Sequence, residues 1–476
     1  MKKSPVKYFV FSLLIRYMSR NQIYREREDK TGRIAIVMKA IRSNMEICTV
    51  GGILPVLKCI KDFGIASIIR SFLGKRPAQA KYGYEDSIIA WMLTNMQGGF
   101  RLDHISKMKK NCSLIDEKDL KLPSHDTLGR TFKSLATQIE HSEHLGGKWR
   151  DPKVITREIN DNAILNRILI KTAKSVKMLK PGISYTLDMD VTLIHTDCRD
   201  TRTTYARARG YAPMVSFIGK TPVYIGMRNG NVAPAALALE SLEKTFTLLE
   251  EQGINADKIR MDGAKYSFET YDFIHERGKR FYIPTKGNSA VIGALMQCNF
   301  KKEEEFKTST HVWNIESGET THKFKYGNYT YRLVAFRTKM DEKGRTPRGW
   351  TEDERGYAYK ILLTNDFKSS IRDMMEFYNQ RGAIEKNFDY LKNDFGWRLP
   401  PFSNMNENLV FFFIGAMTSV VYQGVLHSLK KKVKEIRLNM RLHDFIVVFV
   451  TVALSRNYDE YVFHEPEGGI AYVKLI

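Results

Sequence analysis

The sequence predicts a mixed α/β protein with helical regions at both ends of the chain. Three observations carry this prediction. Residues 183–192 alternate between apolar and polar side chains, which is typical of a β-strand. This strand opens a series of three strands, a helix, a strand, a helix and a strand that ends near residue 284. On both sides of that series, apolar residues recur every three or four positions, as in amphipathic helices.

Length and charge limit the possible functions. With 476 residues the chain is long enough for two or three domains, and 43% hydrophobic residues can build a large core. Lys and Arg number 75 against 53 Asp and Glu, which gives a formal net charge of +22. A positive field of this size favours a polyanionic partner, above all nucleic acid, and argues against a small neutral metabolite as the main ligand.

The N-terminal part of the chain is predicted to contain two regions. Residues 1–45 carry eleven Lys and Arg against three acids and form a basic N-terminal extension, which either contacts DNA or precedes the true start of the protein. Residues 46–175 have helical periodicity and are interpreted as a helical DNA-binding domain, because short helices there present several basic residues. An ordinary solvated helical surface is the alternative.

Four further regions are expected along the rest of the chain. Residues 180–290 form the first part of the α/β core, and residues 291–367 form a β-rich insertion of short alternating runs between charged turns. Residues 368–430 contain a long helix, from about 369 to 393, and a following helix. Residues 431–476 are expected to be a basic helical region, whose lysines either face solvent or contact phosphates.

Cysteine usage and hydropathy exclude other classes of protein. The five cysteines include no C-x-x-C pair, which argues against a zinc ribbon, an iron–sulfur site and a dense disulfide framework. The longest apolar run, 409–422, is shorter than the roughly 20 residues that a membrane span needs, so a buried core helix is expected there. These features predict a cytoplasmic protein without a membrane segment.

Three acidic residues are candidate catalytic groups. Asp190 lies at the end of the first predicted strand, Asp262 at the end of the fourth, and Glu385 inside the long helix. Functional groups converge at strand ends in open α/β sheets, and clustered carboxylates repel one another unless a cation holds them. Hard oxygen ligands suit Mg²⁺ or Mn²⁺, and two such ions would serve an in-line phosphoryl displacement.

The long helix adds a polar stripe. Tyr378, Arg381, Glu385 and Lys392 stand at relative positions 0, 3, 7 and 14, so a regular α-helix would place all four within about 60° of one another. A carboxylate in such a stripe can bind metal, while the basic groups hold phosphates. A solvated face with an intrahelical pair between Arg381 and Glu385 is the alternative.

The stripe and the two Asp segments resemble a known family. The pattern Tyr378-x2-Arg381-x3-Glu385-x6-Lys392 is similar to the Y-R-E-K signature of DDE transposases of bacterial insertion sequences. Leu187-Asp-Met-Asp-Val-Thr192 resembles the strand that carries the first Asp of that family, and Ile259-Arg-Met-Asp-Gly263 resembles the second. Gly51-Gly-Ile-Leu54 and Ser124-His-Asp-Thr-Leu128 are similar to the group with a "group 1" DDE domain.

This resemblance implies a fold, an activity and partners. The fold would be a ribonuclease H-like core interrupted by the β-rich insertion, and the activity would be metal-dependent cleavage at the inverted-repeat ends of an insertion sequence with joining of the 3′-OH to target DNA. Two Mg²⁺ ions (or Mn²⁺) would be held by Asp190, Asp262 and Glu385. Tyr378, Arg381 and Lys392 would contact DNA, a homodimer would be the working form, and the protein would act at the nucleoid.

Two departures from the family pattern leave alternatives open. The second motif reads Asp262-Gly-Ala-Lys instead of Asp followed by Arg or Ser-Gly, and Asp188 competes with Asp190 as the first metal ligand. A catalytically silent DNA-binding repressor derived from a transposase and a ribonuclease H-like nuclease are the alternative functions.

Overall fold

The structure is a computed structural model that describes residues 24–28, 34–38, 47–115, 120–148, 151–263, 268–285, 289–302, 306–307, 312–347, 349–457, 460–464, 470 and 475. The predicted basic extension 1–45 therefore lies outside the described residues, except for two antiparallel strands, β1 (Tyr24–Glu28) and β2 (Ile34–Met38).

Most helices lie before and after the sheet-forming part of the chain. They are α1 (Ile53–Asp62), α2 (Ile65–Leu73), α3 (Tyr84–Met96), α4 (His104–Asn111), α5 (His125–Ser134), α6 (Ala163–Ser175), α7 (Ala238–Glu251), α8 (Phe268–Glu276), α9 (Ser289–Met296), α10 (Ile371–Asn379), α11 (Ala383–Asp394), α12 (Met405–Lys430) and α13 (Leu442–Phe445), with a 3₁₀ turn at Gln380–Gly382 and a π-helical turn at Ile446–Val450.

The strands run from the N-terminal hairpin to the C-terminal one. They are β1 (Tyr24–Glu28), β2 (Ile34–Met38), β3 (Glu140–Lys148), β4 (Asp151–Asn160), β5 (Ser184–Val191), β6 (Ile194–His195), β7 (Arg202–Thr203), β8 (Arg209–Tyr211), β9 (Met214–Ile218), β10 (Thr221–Arg228), β11 (Asn255–Met261), β12 (Arg280–Pro284), β13 (Lys301–Lys302), β14 (Phe306–Lys307), β15 (Val312–Trp313), β16 (Ile315–Lys323), β17 (Thr330–Lys339), β18 (Thr351–Glu352), β19 (Tyr357–Thr364), β20 (Ala453–Asn457) and β21 (Glu460–His464).

One large mixed sheet organises the molecule. Its order is β13-β16-β17-β19-β12-β11-β5-β9-β10-β4-β3, with β18 paired to β19. At the centre, β5 is antiparallel to β9 and parallel to β11, and β11 is parallel to β12. The predicted mixed α/β class is confirmed, and the alternating residues 183–192 form β5. The carboxyl ends of β5 and β11 lie side by side because these two strands are parallel neighbours.

The stretch 291–367 continues the central sheet. Strand β19 pairs antiparallel with both β12 and β17, and β17 pairs with β16 over nine residues. Its strands therefore share a hydrogen-bonded ladder with the core, and β19 leads directly into α10, which carries part of the predicted polar stripe.

Helix α12 forms the centre of the helical layer. It is long and apolar enough to cross a membrane by composition, but 94% of its most apolar window is buried inside the protein. Helices α1, α3, α5 and α6 and strand β10 contact it. Trp397 Nε1 donates to the carbonyl of Phe412 at 3.0 Å. Gly415 allows the backbone of Phe395 to lie against α12, because a Cβ on residue 415 would be 2.7 Å from the carbonyl oxygen of Phe395. The prediction of a buried core helix at 409–422 is confirmed.

Two segments differ from the predicted helices. Within the range 46–175, β3 and β4 form a hairpin, and β4 extends the large sheet by pairing with β10. After α13 the chain forms the hairpin β20–β21, and Leu454 pairs with Cys48. Gly51 permits this contact, since a Cβ there would lie 2.8 Å from the Cβ of Leu454. Helical periodicity in sequence does not report such pairings between distant segments.

Candidate active site

Asp190 and Asp262 lie together at the carboxyl ends of two parallel strands. The last paired residues of β5 and β11 in this register are Met189 and Met261, so each Asp comes one step beyond the same rung of the ladder. The two carboxylates are close enough for the charge of Asp262 to raise the pKa of Asp190. We call Asp190 and Asp262 the acid pair. The parallel arrangement of β5 and β11 brings these two residues together.

The environment of Asp190 disfavours its charged form. Burial raises the pKa of this carboxyl to about 6, the Arg381 guanidinium opposes that shift, and the charge of Asp262 adds to it. Its side chain is 17% exposed. Arg381 Nη2 donates to one carboxylate oxygen at 2.5 Å, and the backbone N–H of Val191 donates to the other at 2.7 Å. The contact with Arg381 thus only partly offsets the effects of burial and of the Asp262 charge on the pKa of Asp190.

Asp188 has a different environment two residues earlier on the same strand. Arg260 donates from Nε and Nη2 to its two carboxylate oxygens at 2.6 and 2.7 Å, and both side chains are less than 10% exposed. Arg260 also donates to the carbonyl of Phe377 at 2.6 Å and stacks on the Phe377 ring. We call Asp188 and Arg260 the buried pair. Both oxygens of Asp188 thus accept from one guanidinium, whereas Arg381 contacts one oxygen of Asp190.

The helix of the polar stripe is divided into two. Helix α10 begins after Ser370, whose hydroxyl accepts from the N–H of Asp373, and it ends at Asn379. The 3₁₀ turn Gln380–Gly382 separates it from α11. The predicted helix from about 369 to 393 is thus present as a helical stretch from 371 to 394, with one 3₁₀ turn inside it. A 3₁₀ turn advances about 120° per residue instead of 100°, so three residues rotate α11 by about 60° relative to the predicted stripe.

The first half of the stripe faces the acid pair. Arg381 binds Asp190, and Tyr378 lies near Arg381 and both acids, since all three charges act on its hydroxyl. Burial raises the pKa of Tyr378 to about 12, so this hydroxyl is protonated at neutral pH. It can donate a hydrogen bond to an anionic ligand at the site.

The second half of the stripe lies on α11. Glu385 is exposed in the first turn of α11, and Lys392 is partly buried in its last turn. Burial lowers the pKa of Lys392, and the charge of Arg398 adds to that effect. Within the described ranges, no three His, Cys, Asp or Glu side chains are arranged to hold a metal ion. The structure thus brings Asp190, Asp262, Tyr378 and Arg381 together, with Glu385 outside that group.

Two residues near the acid pair were not predicted. Arg260 lies on β11, two residues before Asp262. The signal available for it was a charged residue inside a strand whose neighbouring residues are buried. Tyr205 is exposed in the Arg-rich segment after β5, and the charges of Asp190 and Asp262 act on its hydroxyl. Sequence spacing gives no signal that relates Tyr205 to Asp262.

Comparisons with known proteins identify the family. No curated protein matches the chain. Among solved structures, a piggyBac transposase in a synaptic complex with hairpin DNA is similar at 12% identity and a TM-score of 0.41, over 83% of this chain and 80% of that chain. Similarity at this level carries no argument about function. The family model described as "Transposase DDE domain group 1" matches residues 39–441. The predicted family is thereby confirmed, and the chain belongs to the DDE domain group 1 transposases.

Proposed function

We propose that this transposase cleaves DNA at the inverted-repeat ends of an insertion sequence and joins the freed 3′-OH to target DNA. The observation that carries the proposal is the acid pair at the ends of two parallel strands, closed on one side by Arg381 and Tyr378. Carboxylates, a guanidinium and a protonated phenol are the groups that phosphoryl transfer needs, because that chemistry depends on positioning and on stabilisation of charge.

We also propose that the central sheet is a ribonuclease H-like core. The order β10-β9-β5-β11-β12, with antiparallel pairing up to β5 and parallel pairing from β5 to β12, supports this assignment. The strands from β13 to β19 would then be an insertion before the helices of the polar stripe. The insertion extends the sheet at the side opposite β10, which leaves the acid pair near the middle of the sheet.

The residues at the site fit a divalent cation. Asp190 and Asp262 are hard oxygen donors that repel each other, and burial makes the negative form of Asp190 costly, so a cation between them would relieve both effects. We assign Asp190, Asp262 and Glu385 as the ligands. Two Mg²⁺ ions, or Mn²⁺ in their place, would supply charge stabilisation for the attacking and leaving oxygens when bound.

Glu385 requires a movement to join the acid pair. Arg381 lies inside the 3₁₀ turn Gln380–Gly382, and Glu385 follows four residues later in the first turn of α11. Conversion of that turn to regular α-helix would rotate Glu385 by about 60° around the helix axis, from about +40° to about −20° relative to Tyr378, which restores the predicted stripe. We propose that this change accompanies DNA binding.

DNA contacts are assigned to the basic residues of the stripe and of the N-terminal helices. Arg381 and Lys392 would hold backbone phosphates, with Tyr378 as a hydrogen-bond donor beside them. In the helical region 46–175, basic side chains that are exposed and would contact the terminal repeats include Lys107, Lys109, Lys110, Arg130 and Lys133. Because both ends of an element must be cut together, a homodimer acting on double-stranded DNA at the nucleoid would be the working form.

The experiment is a nicking and strand-transfer assay on DNA fragments that carry the sequences flanking the gene. The wild-type protein should produce metal-dependent nicks at inverted repeats and joined products. Glu385→Gln keeps the side-chain shape but removes the charge, so it should abolish both products. Glu376→Gln is the matched control, because Glu376 is an exposed glutamate of α10 that pairs with Arg372 at 3.1 Å.

Each outcome decides between the functions. Full activity of Glu385→Gln would contradict the assignment of that residue. End binding without cleavage under any divalent metal would favour the silent repressor, and cleavage without joined products would favour a nuclease.

A further inference from the structure

The segment after β5 forms a small platform beside the acid pair. It contains the three-stranded sheet β6-β8-β7, in which Ile194 pairs with Tyr211 and Arg202 pairs with Gly210. The N–H of Thr192 donates to the carbonyl of Pro213 at 3.1 Å, so the platform is joined to β5 directly after Asp190. The position of the platform is therefore set by the same strand end that positions the first acid.

The base of the platform is held firmly. Arg209 donates from Nε to the Thr201 hydroxyl at 3.1 Å and from Nη2 to the carbonyls of Cys198 and Thr201, both at 3.2 Å. The Asp200 carboxylate accepts from the Tyr211 hydroxyl and from the N–H of Met405, both at 2.6 Å, which ties the platform to α12. Such a base presents its outer turn in a defined place.

The outer turn is exposed and combines an aromatic ring with a cation. The N–H of Arg207 donates to the carbonyl of Thr204 at 2.9 Å, and the N–H of Thr204 donates to the carbonyl of Ala208 at 2.8 Å. Tyr205 at the tip is 65% exposed, and Arg207 is exposed with a φ of 62°. Among the described residues no carboxylate pairs with Arg207. The fold thus holds a tyrosine ring and a guanidinium in solvent, where neither stabilises the core.

The ring lies within electrostatic reach of both acids. Burial raises the pKa of the Tyr205 hydroxyl, and the charges of Asp190 and Asp262 raise it further. Because the platform is joined to β5 two residues after Asp190, a DNA strand that runs from the acid pair across the platform would bring a neighbouring nucleotide to this ring. Stacking on an aromatic ring is available to every base, while a guanidinium suits the adjoining phosphate.

We propose that Tyr205 stacks on an unpaired base next to the phosphate held at the acid pair, and that Arg207 contacts the adjoining backbone. Tyr205 is thus a positioning residue for the DNA strand, supplied by the platform and separate from the polar stripe of α10 and α11. The inference rests on the proposed DNA-cleaving function for the identity of the ligand.

The test uses the full chain and a nicked oligonucleotide duplex with one unpaired 2-aminopurine beside the nick, in buffer without divalent metal. Wild-type protein should quench the fluorescence of the analogue, and Tyr205→Ala should remove the quenching and weaken binding about tenfold. Tyr205→Phe keeps the ring and should behave as wild type. Tyr326→Ala is the matched control, since Tyr326 is 70% exposed at the turn between β16 and β17.

Arg207→Ala should act differently from Tyr205→Ala. Loss of one phosphate contact should weaken binding equally for duplexes with and without the unpaired base, and it should lower the slope of log affinity against log salt by about one. Thermal unfolding of Tyr205→Ala should be unchanged, because the ring is mostly exposed.

Quenching by Tyr205→Ala equal to wild type, or no quenching by the wild-type protein, would overturn the inference. The outcome is separable from that of the proposed function, because Asp190→Asn should lose cleavage while keeping the quenching. If the wild-type protein quenches through Tyr205 but cleaves no DNA, the stacking role stands and the cleavage function falls.

Discussion

Two aspartates on one strand show how the same residue type is used for stability and for chemistry. In the buried pair, Arg260 donates to both oxygens of Asp188 and also contacts Phe377 of α10. In the acid pair, Asp190 has one guanidinium contact and a second carboxylate beside it. The difference lies in the number of partners. A fully paired charge contributes to the fold, whereas an incompletely paired one remains available to a ligand.

The largest expected effect on stability comes from breaking the buried pair. Arg260→Ala leaves Asp188 charged and buried without its partner, so the free energy of unfolding should fall by about 3–5 kcal/mol. Denaturant unfolding measures the change. Arg372→Ala is the control, because it removes an exposed i,i+4 pair with Glu376 that contributes only about 0.3–0.5 kcal/mol. A loss below 1 kcal/mol for Arg260→Ala would contradict the comparison.

In the acid pair, removal of the charge of Asp190 should stabilise the protein instead of destabilising it. The pKa of Asp190 is raised from 3.8 to about 6, so the native state binds more protons than the unfolded state between these values, and stability falls as pH rises through that window. Above pH 6 the carboxylate lowers stability by up to about 3 kcal/mol. Asp190→Asn should therefore raise the free energy of unfolding at pH 7–8 and flatten its decrease between pH 4 and 6.

This measurement requires chelator in the buffer, so that no cation binds the carboxylates. Unfolding curves collected from pH 4 to pH 8 for the wild type and for Asp190→Asn give the two pH profiles. Parallel profiles would show that Asp190 is not strained in the folded protein and would remove the contrast with Asp188.

Divalent metal should stabilise the protein through the acid pair and leave the buried pair unaffected. Mg²⁺ that binds only the native state at a hundredfold excess over its Kd should add about 2.7 kcal/mol of stability. Asp190→Asn should abolish this gain. The readout is the shift in Tm on addition of MgCl₂, with KCl at equal ionic strength as the control. An undiminished shift in Asp190→Asn would place the metal elsewhere.

Local sequence patterns predicted most helices and strands. The features that were missed depend on contacts between segments that are distant in the chain. Alternation over residues 183–192 gave β5, and the position of Asp262 after a short strand placed it beside Asp190. Arg260 was missed because its partner lies 72 positions away in the chain. The hairpin β20–β21 was missed because its strand β20 is docked on residues near Cys48.

The polar stripe was predicted only in part. Its four positions assume 100° per residue, which holds within α10 and within α11 but not across the 3₁₀ turn. The first two members, Tyr378 and Arg381, lie near the acids. The last two depend on a local overwinding that residue types alone do not specify.

Gly382 offers the smallest and most local test of that overwinding. Its φ of −52° and ψ of −16° are allowed to alanine, and a Cβ there would contact nothing within 4 Å. Gly382→Ala should therefore raise the free energy of unfolding by about 0.4–1 kcal/mol, because it restricts the unfolded chain. Alanine also favours regular α-helix over the turn, which directs Glu385 toward the acid pair. If the movement of Glu385 is part of the reaction, DNA nicking by Gly382→Ala should equal or exceed that of the wild type. A variant that is more stable but cuts more slowly would mean that the 3₁₀ turn itself is the active arrangement, with Glu385 remaining apart from the acid pair.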